Sequence, residues 1–219
     1  ALAAVAVGGF ALHWVTRREE RVIAERERRH ELDARRSALE MQLQRGLEME
    51  PTEELTYPVI EAALAMVRPG EPSELLLADS SHAHFRQVLS TDPGGKGPGC
   101  PVSAPYLCPA ASRGQTQVFP SSARLDACPF LRDRNGHARS AACVPVNIAG
   151  TANGVIHTTG PDQQPPDPEQ LAELELVARK AGERIGYLRV LARTEMRAHI
   201  DGLTGLLNRR SFEDAALGV

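Results

Sequence analysis

The chain has 219 residues, a formal net charge of −3 and a pI of about 6.2, which excludes the global basic field of a nucleic-acid-binding protein. Hydrophobic residues at 42% and charged residues at 24% match globular averages and exclude wholesale disorder. With aromatics at only 4%, the interior has to be built from Leu, Val, Ala and Ile, in one or two domains.

Residues 1–15 are almost wholly apolar, interrupted by His13 and two glycines, and Trp14 is followed at once by Arg17 and Arg18. The run is shorter than the roughly 20 residues that span a bilayer. An interfacial aromatic and then basic residues is how a membrane helix meets the cytoplasm. Since the chain opens on Ala1 rather than Met, residues 1–15 are expected to be the cytoplasmic end of a transmembrane helix. The alternative is a hydrophobic helix end in a soluble protein. No charged segment precedes the run, which argues against a signal peptide. Residues 16–50 are charged and free of proline. A helix of about 35 residues there would reach about 50 Å. One heptad frame aligns Val15, Val22 and Leu43, and Leu32 with Leu39, but also places Arg29 and Arg36 in the seam. An imperfect parallel coiled coil and a single solvated helix both fit this pattern.

The stretch 59–67 reads as a helix with one buried face, ended by Arg68-Pro69-Gly70. Leu75-Leu76-Leu77 and residues 85–89 are short strand candidates, and the Gly/Pro-rich residues 92–99 are a loop. Residues 105–113 predict a short helix, 115–119 a strand and 122–131 a second short helix. Residues 143–148 and 154–159 predict two strands joined as a hairpin through 150–153. Asp167, Pro168 and Gln170 form a capping box with proline at the first helical position. The helix they open is expected to run to about His199. Leu171, Ala178, Ile185 and Ala192 share one heptad position and Leu174, Ala181 and Leu188 another, a cleaner seam for a homodimer than the first.

Four cysteines, Cys100, Cys108, Cys128 and Cys143, fall in the middle of the chain, and the first three each precede proline. No Cys-x-x-Cys occurs, and the spacings match no compact zinc or iron–sulfur motif, so any shared site has to be assembled by the fold. A cytoplasmic compartment argues against structural disulfides. Ordinary buried thiols, a metal site and a reversible dithiol switch all remain open. His82 and His84 alternate as on one face of a strand, His137 lies in a charged loop, and His157 sits in an apolar strand.

The order of elements predicts an α+β module whose sheet is flanked by helices and bracketed by two long, coiled-coil-like helices. Three stretches, residues 108–115, 139–146 and 153–157, resemble GAF domains. The resemblance implies an antiparallel GAF-like sensor domain over 53–167 with its C-terminal linker helix over 168–200. It also implies a ligand pocket between the sheet and the irregular segments that carry Cys100, Cys108 and Cys128, with Cys143 along its floor; His157, in its apolar strand, either faces that pocket or is a satisfied core histidine. These five are the candidate cofactor-binding residues, and the four cysteines the candidate metal ligands. Thiolates in such a pocket would take zinc, an iron–sulfur cluster or haem iron.

The string Asp201-Gly202-Leu203-Thr204-Gly205-Leu206-Leu207-Asn208-Arg209-Arg210 resembles the opening of GGDEF domains, the diguanylate cyclases. The resemblance implies that residues 201–219 begin an output domain that condenses two GTP molecules into cyclic di-GMP across a two-fold dimer, with bound Mg²⁺. No Gly-Gly-Asp/Glu-Glu-Phe turn occurs in 201–219, so no catalytic residue can be assigned here. The expectation is therefore the sensory and dimerisation segment of a diguanylate cyclase-like protein in a bacterial inner membrane, its GAF domain cytoplasmic and responsive to a small ligand, a cofactor or redox state. The competing expectations are a non-catalytic receptor with a degenerate output domain, and a GAF module that serves only as a dimerisation spacer.

Overall fold

The computed structural model describes residues 2–79, 81–92, 99–132, 136–199 and Asn208, with only helical backbone for 2–18 and 198–199. Among these residues four α-helices and five strands run in the order α1 (Leu2–Met49), α2 (Glu53–Val67), β1 (Ser73–Ala78), β2 (Phe85–Ser90), a 3-10 turn (Pro105–Leu107), α3 (Pro109–Arg113), β3 (Gln117–Phe119), β4 (Arg139–Ile148), β5 (Thr151–Pro161) and α4 (Pro168–His199). The chain divides into two compact units, 1–42 and 43–219. The first is helix alone, the body of α1. The second holds everything else, including the last turns of α1.

The five strands form one antiparallel sheet in the order β2-β1-β5-β4-β3. β1 and β5 are buried on both faces along most of their length, because the sheet is covered on both sides. One cover is helical: α4 packs on β4, and α2 packs on α4, β1 and β2. This face takes Leu75, Leu77, Val146 and Ile156, all almost inaccessible. Burial of each such aliphatic side chain stabilises by about 1.5–3 kcal/mol. The other cover is the irregular segment 99–132 with α3, and it takes the alternate residues, among them Leu76, Val155 and Cys143. A strand's period of two sends neighbours to opposite faces, so the sheet separates a helical core from a cysteine-bearing one.

Local chemistry sets the boundaries. Asp167 Oδ1 accepts the Gln170 N–H (2.8 Å) while Gln170 Oε1 accepts the Asp167 N–H (3.2 Å), the reciprocal bonds of a capping box. β4 and β5 are joined by Ala149 and Gly150, both with positive φ (53° and 87°), as a two-residue turn matched to strand twist requires. The hairpin turn therefore lies before Asn153, which is in β5. α2 begins at Glu53 rather than at Val59 and runs through Pro58. Pro58 and Glu54, whose carbonyl the proline leaves without a donor, are both exposed to water. The helix expected over 122–131 is instead a series of turns. Ala127 N–H bonds to Arg124 O and Leu131 N–H to Cys128 O, and Pro129 withholds the donor a continuous helix needs.

Five of the seven α4 seam positions are taken up inside the unit, while Leu171 is half-buried and Ala192 exposed. Leu174, Ala178, Ala181, Ile185 and Leu188 are buried within the unit itself, against the sheet and α2. A 3.5-residue repeat and the buried stripe of a helix lying on a sheet are alike over a few turns. These positions therefore serve the core of one copy and are closed to a second one. Among the described residues no helix is long and apolar enough to cross a membrane. The membrane-helix expectation for 1–15 falls on residues whose side chains lie outside the described set, and so does the motif at 201–210, apart from Asn208.

Candidate functional site

The irregular cover folds down onto the sheet through polar anchors. Cys100 N–H donates to Glu74 Oε1 at 2.8 Å, and Phe85 N–H to Ser103 O at 2.8 Å. The chain then enters the 3-10 turn at Pro105 and α3 at Pro109, both prolines at helix starts, where no N–H is needed. α3 ends after five residues at Gly114, whose left-handed φ of 62° closes it. The short helix leaves Cys108 at its N-cap, buried, and turns β3 onto the edge of β4.

Between this cover and the sheet lies a small apolar cavity of about 10 Å³, the room of one water molecule. Its walls include Cys100, Cys108, Cys128, Cys143 and His157, with Val102, Phe119, Phe130 and Leu131. None of the four cysteines is in a disulfide; three are buried and Cys100 is half-buried. Residues spread over more than forty positions thus converge on one small space.

Two features distinguish the thiols. Cys143 and His157 face each other in the β4–β5 ladder, and Cys143 Sγ lies 3.2 Å from His157 Nδ1. Burial pushes the Cys108 thiol above its ordinary pKa, the Ala111 and Ala110 N–H groups oppose this, and the nearby Cys128 adds to it. Cys108 therefore keeps its proton, because a thiolate would have to be formed in an apolar site.

The metal expectation meets this geometry directly. Although the four cysteines line one cavity, no group of three or more His, Cys, Asp or Glu among the described residues is arranged to hold a metal ion. A cavity the size of one water also has no room, as packed, for an iron–sulfur cluster or haem. The thiols share a space without forming a ligand set. His82 and His84 are likewise displaced from a strand. They sit exposed in the β1–β2 turn, with His82 at a φ of 57° and His84 Nδ1 3.6 Å from Asp79 Oδ2. His137 is exposed.

One buried polar residue beside the site has no counterpart among the sequence candidates. Glu74, in β1, is fully buried and stands directly opposite His157 in the β1–β5 ladder. A carboxylate inside the apolar strand Ser73–Ala78 was the available signal, since buried acids are rare unless engaged.

No family model matches the chain, and no curated protein matches it. Solved structures do match. The GAF domain of an Acinetobacter phosphoenolpyruvate-protein phosphotransferase aligns over 70% of this chain and 94% of its own, with a TM-score of 0.57 and 12% identity. The fold is a GAF fold. A methyl-accepting chemotaxis protein segment, residues 122 to 287, aligns over 70% of this chain and 99% of its own (TM-score 0.53, 15% identity). A free methionine-R-sulfoxide reductase from Neisseria meningitidis, solved with its substrate, aligns over 71% and 91% (TM-score 0.53, 18% identity). At these identities the similarity is one of fold, so the role of the pocket has to be argued from its own residues.

Proposed function

We propose that this GAF unit is a thiol-based sensor whose input is the redox state of the cysteines lining its cavity. The observation that carries the reading is the convergence of Cys100, Cys108, Cys128, Cys143 and His157 on one cavity with room for a single water. A pocket of that size favours a chemical change of its own walls over capture of a metabolite, and paired thiols are oxidised and reduced reversibly.

The output route follows from β4. Its Cys143 faces the cavity, while Asn147, further along the same strand, touches Gly182 of α4 on the opposite cover. Disulfide formation that displaces β4 would shift α4, and packed helices respond to such shifts in discrete steps. α4 leads toward the string at 201–210 that resembles the opening of a diguanylate cyclase, so the proposed output is control of cyclic di-GMP synthesis. The proposed setting is a membrane-tethered homodimer. The apolar run before Trp14, Arg17 and Arg18 supports the tether. The long α1 and the exposed Tyr187, Val190, Leu191 and Met196 of α4 support the dimer.

A second reading is catalytic. Three buried thiols and one half-buried thiol in the fold shared with a methionine-R-sulfoxide reductase would suit reduction of a small sulfoxide. Two thiols would become a disulfide, and the sulfoxide oxygen would leave as water with both thiol protons. Both readings are tested on protein purified without oxygen. Thiol titration before and after mild oxidation is expected to show reversible loss of thiols in pairs, with no stoichiometric metal or visible chromophore. Unchanged thiol number would sink the redox reading, and stoichiometric zinc or iron would restore the metal one. Turnover of free methionine sulfoxide with dithiothreitol would favour the enzyme over the sensor.

A further inference from the structure

At one level of the sheet the five strands place Ser90, Glu74, His157, Cys143 and Gln117 in a continuous row of paired residues. The three in the middle are a carboxylate, an imidazole and a thiol, in that order, and all three are buried. Residues directly paired across strands point to the same face with Cβ atoms about 5 Å apart. Cys143 Sγ is already 3.2 Å from His157 Nδ1, and both line the cavity. An imidazole within reach of a thiol can take its proton, and a third group beside the imidazole can orient it. Cys108 has the opposite setting, since burial holds its proton in place.

We propose that Cys143 is the reacting thiol of this cavity, activated by His157 with Glu74 behind it, and that its substrate class is a small uncharged peroxide. The inference rests on the reading of the unit as a thiol sensor and names the residue that reacts first. Room for one water and apolar walls exclude bulky and charged oxidants. The Cys143 thiolate attacks one peroxide oxygen, so that an S–O bond forms as the O–O bond breaks. The departing oxygen takes the proton held by His157 and leaves as water. The sulfur is oxidised by two electrons to a sulfenic acid, and the peroxide is reduced by two. Cys108 packs in the same apolar cluster as Cys143, with Cys100 against it. One of these thiols attacks the sulfenic sulfur, the S–O bond breaks as the S–S bond forms, and the hydroxyl leaves as water with the attacking thiol's proton. Glu74 is a positioning residue that acts through His157.

The test is sulfenic acid trapping. Reduced full-chain protein is exposed to near-stoichiometric hydrogen peroxide with dimedone, and adducts are quantified on each cysteine by peptide mass spectrometry. The earliest adduct is expected on Cys143. C143S should abolish it, and H157Q should slow it at least tenfold. E74Q keeps an oxygen for the Cys100 N–H. It should slow Cys143 while leaving alkylation of Cys100 unchanged, a selectivity that mere loosening of the fold would not give. If H157Q fails to fold, wild type against the near-isosteric C143S decides alone. An earliest adduct on another cysteine, with C143S oxidised at the wild-type rate, overturns the assignment and leaves the thiol sensor standing. No adduct and no thiol loss at any cysteine overturns both.

Discussion

Arg189 of α4 grips Glu53, the first residue of α2, with two hydrogen bonds: Nε–H to Oε2 at 2.7 Å and Nη2–H to Oε1 at 2.6 Å. Tyr57 O–H donates to the same Oε1 at 2.9 Å. The side chains of Arg189 and Glu53 are only 23% and 17% exposed, so water screens them weakly. Glu53 also lies in the first turn of α2, where a negative charge meets the positive end of the helix. The pair fastens α4 beside α2 at the level where α4 emerges from the core, since beyond Arg189 every α4 residue with described burial is exposed. A helix proposed to transmit a signal is therefore held at its exit by an oriented, bidentate contact.

Replacing Arg189 by Ala is expected to lower stability by about 1.5–3 kcal/mol, the range for hydrogen bonds to charged groups, measured by urea unfolding. The diagnostic effect is local: amide exchange in α4 after Leu188 should quicken more than in β1 or β5. Uniform quickening across the sheet would mean that the pair supports the whole unit rather than the exit of the helix.

Two glycines one turn apart on α4 should behave oppositely. A Cβ on Gly182 would run into the Asn147 carbonyl and lie 3.3 Å from Val146 Cγ1, whereas one on Gly186 would meet Ala149 N at 3.4 Å, an ordinary contact. Gly182→Ala forces helix and strand apart and should cost about 1–3 kcal/mol. Gly186→Ala should be neutral or stabilise by up to about 1 kcal/mol, through lower backbone entropy in the unfolded chain. Thermal melts of the two variants decide this. Equal Tm values would show that α4 does not ride on β4 at Gly182, and would remove the proposed path from Cys143 to the helix.

Much of the scaffold was legible because its causes are local. Asp167 and Gln170 announce the start of α4 through bonds made within four residues, and Leu75-Leu76-Leu77 marks β1 by composition alone. The site was legible only in part. Cys100, Cys108, Cys128 and Cys143 could be singled out as residue types, but their convergence depends on how the segment 99–132 returns over the sheet. Glu74 escaped notice because its hydrogen-bond donor, the Cys100 N–H, lies 26 residues away and because its place beside His157 is a matter of strand register. The heptads of α4 misled for a physical reason. Leu174, Ile185 and Leu188 make one apolar stripe whether the surface that covers them is a second helix or the chain's own sheet.

The alkaline limb of stability should report Cys108. Its folded-state pKa is raised, chiefly by burial, so above the ordinary thiol pKa the unfolded chain binds fewer protons than the folded one. Stability then falls as pH rises. The contribution is fully present below the unfolded pKa and is lost as pH climbs toward the folded value. Cys108→Ser should flatten this limb between about pH 8 and 10, close to the ordinary thiol range. In the folded wild type, Cys108 should be among the slowest cysteines to react with iodoacetamide at pH 8. An unchanged alkaline slope in the variant would show that Cys108 ionises as freely as an exposed thiol.

Leu188 and Val190 separate folding from association. Leu188 is 5% exposed and belongs to the core, while Val190, two residues on, is 56% exposed. Leu188→Glu places a carboxylate where no partner waits and is expected to cost more than about 2 kcal/mol. Its effect on self-association would then follow from unfolding and say nothing about a dimer seam. Val190→Glu should leave Tm within about 2 °C, since surface changes usually lie within about ±0.5 kcal/mol. If the exposed strip of Tyr187 and Val190 meets a second copy, the same change should shift sedimentation toward the monomer, because two buried glutamates would then oppose each other across the axis. Val190→Glu protein that sediments like wild type would remove this strip from the dimer and leave α1 as the element that has to supply it.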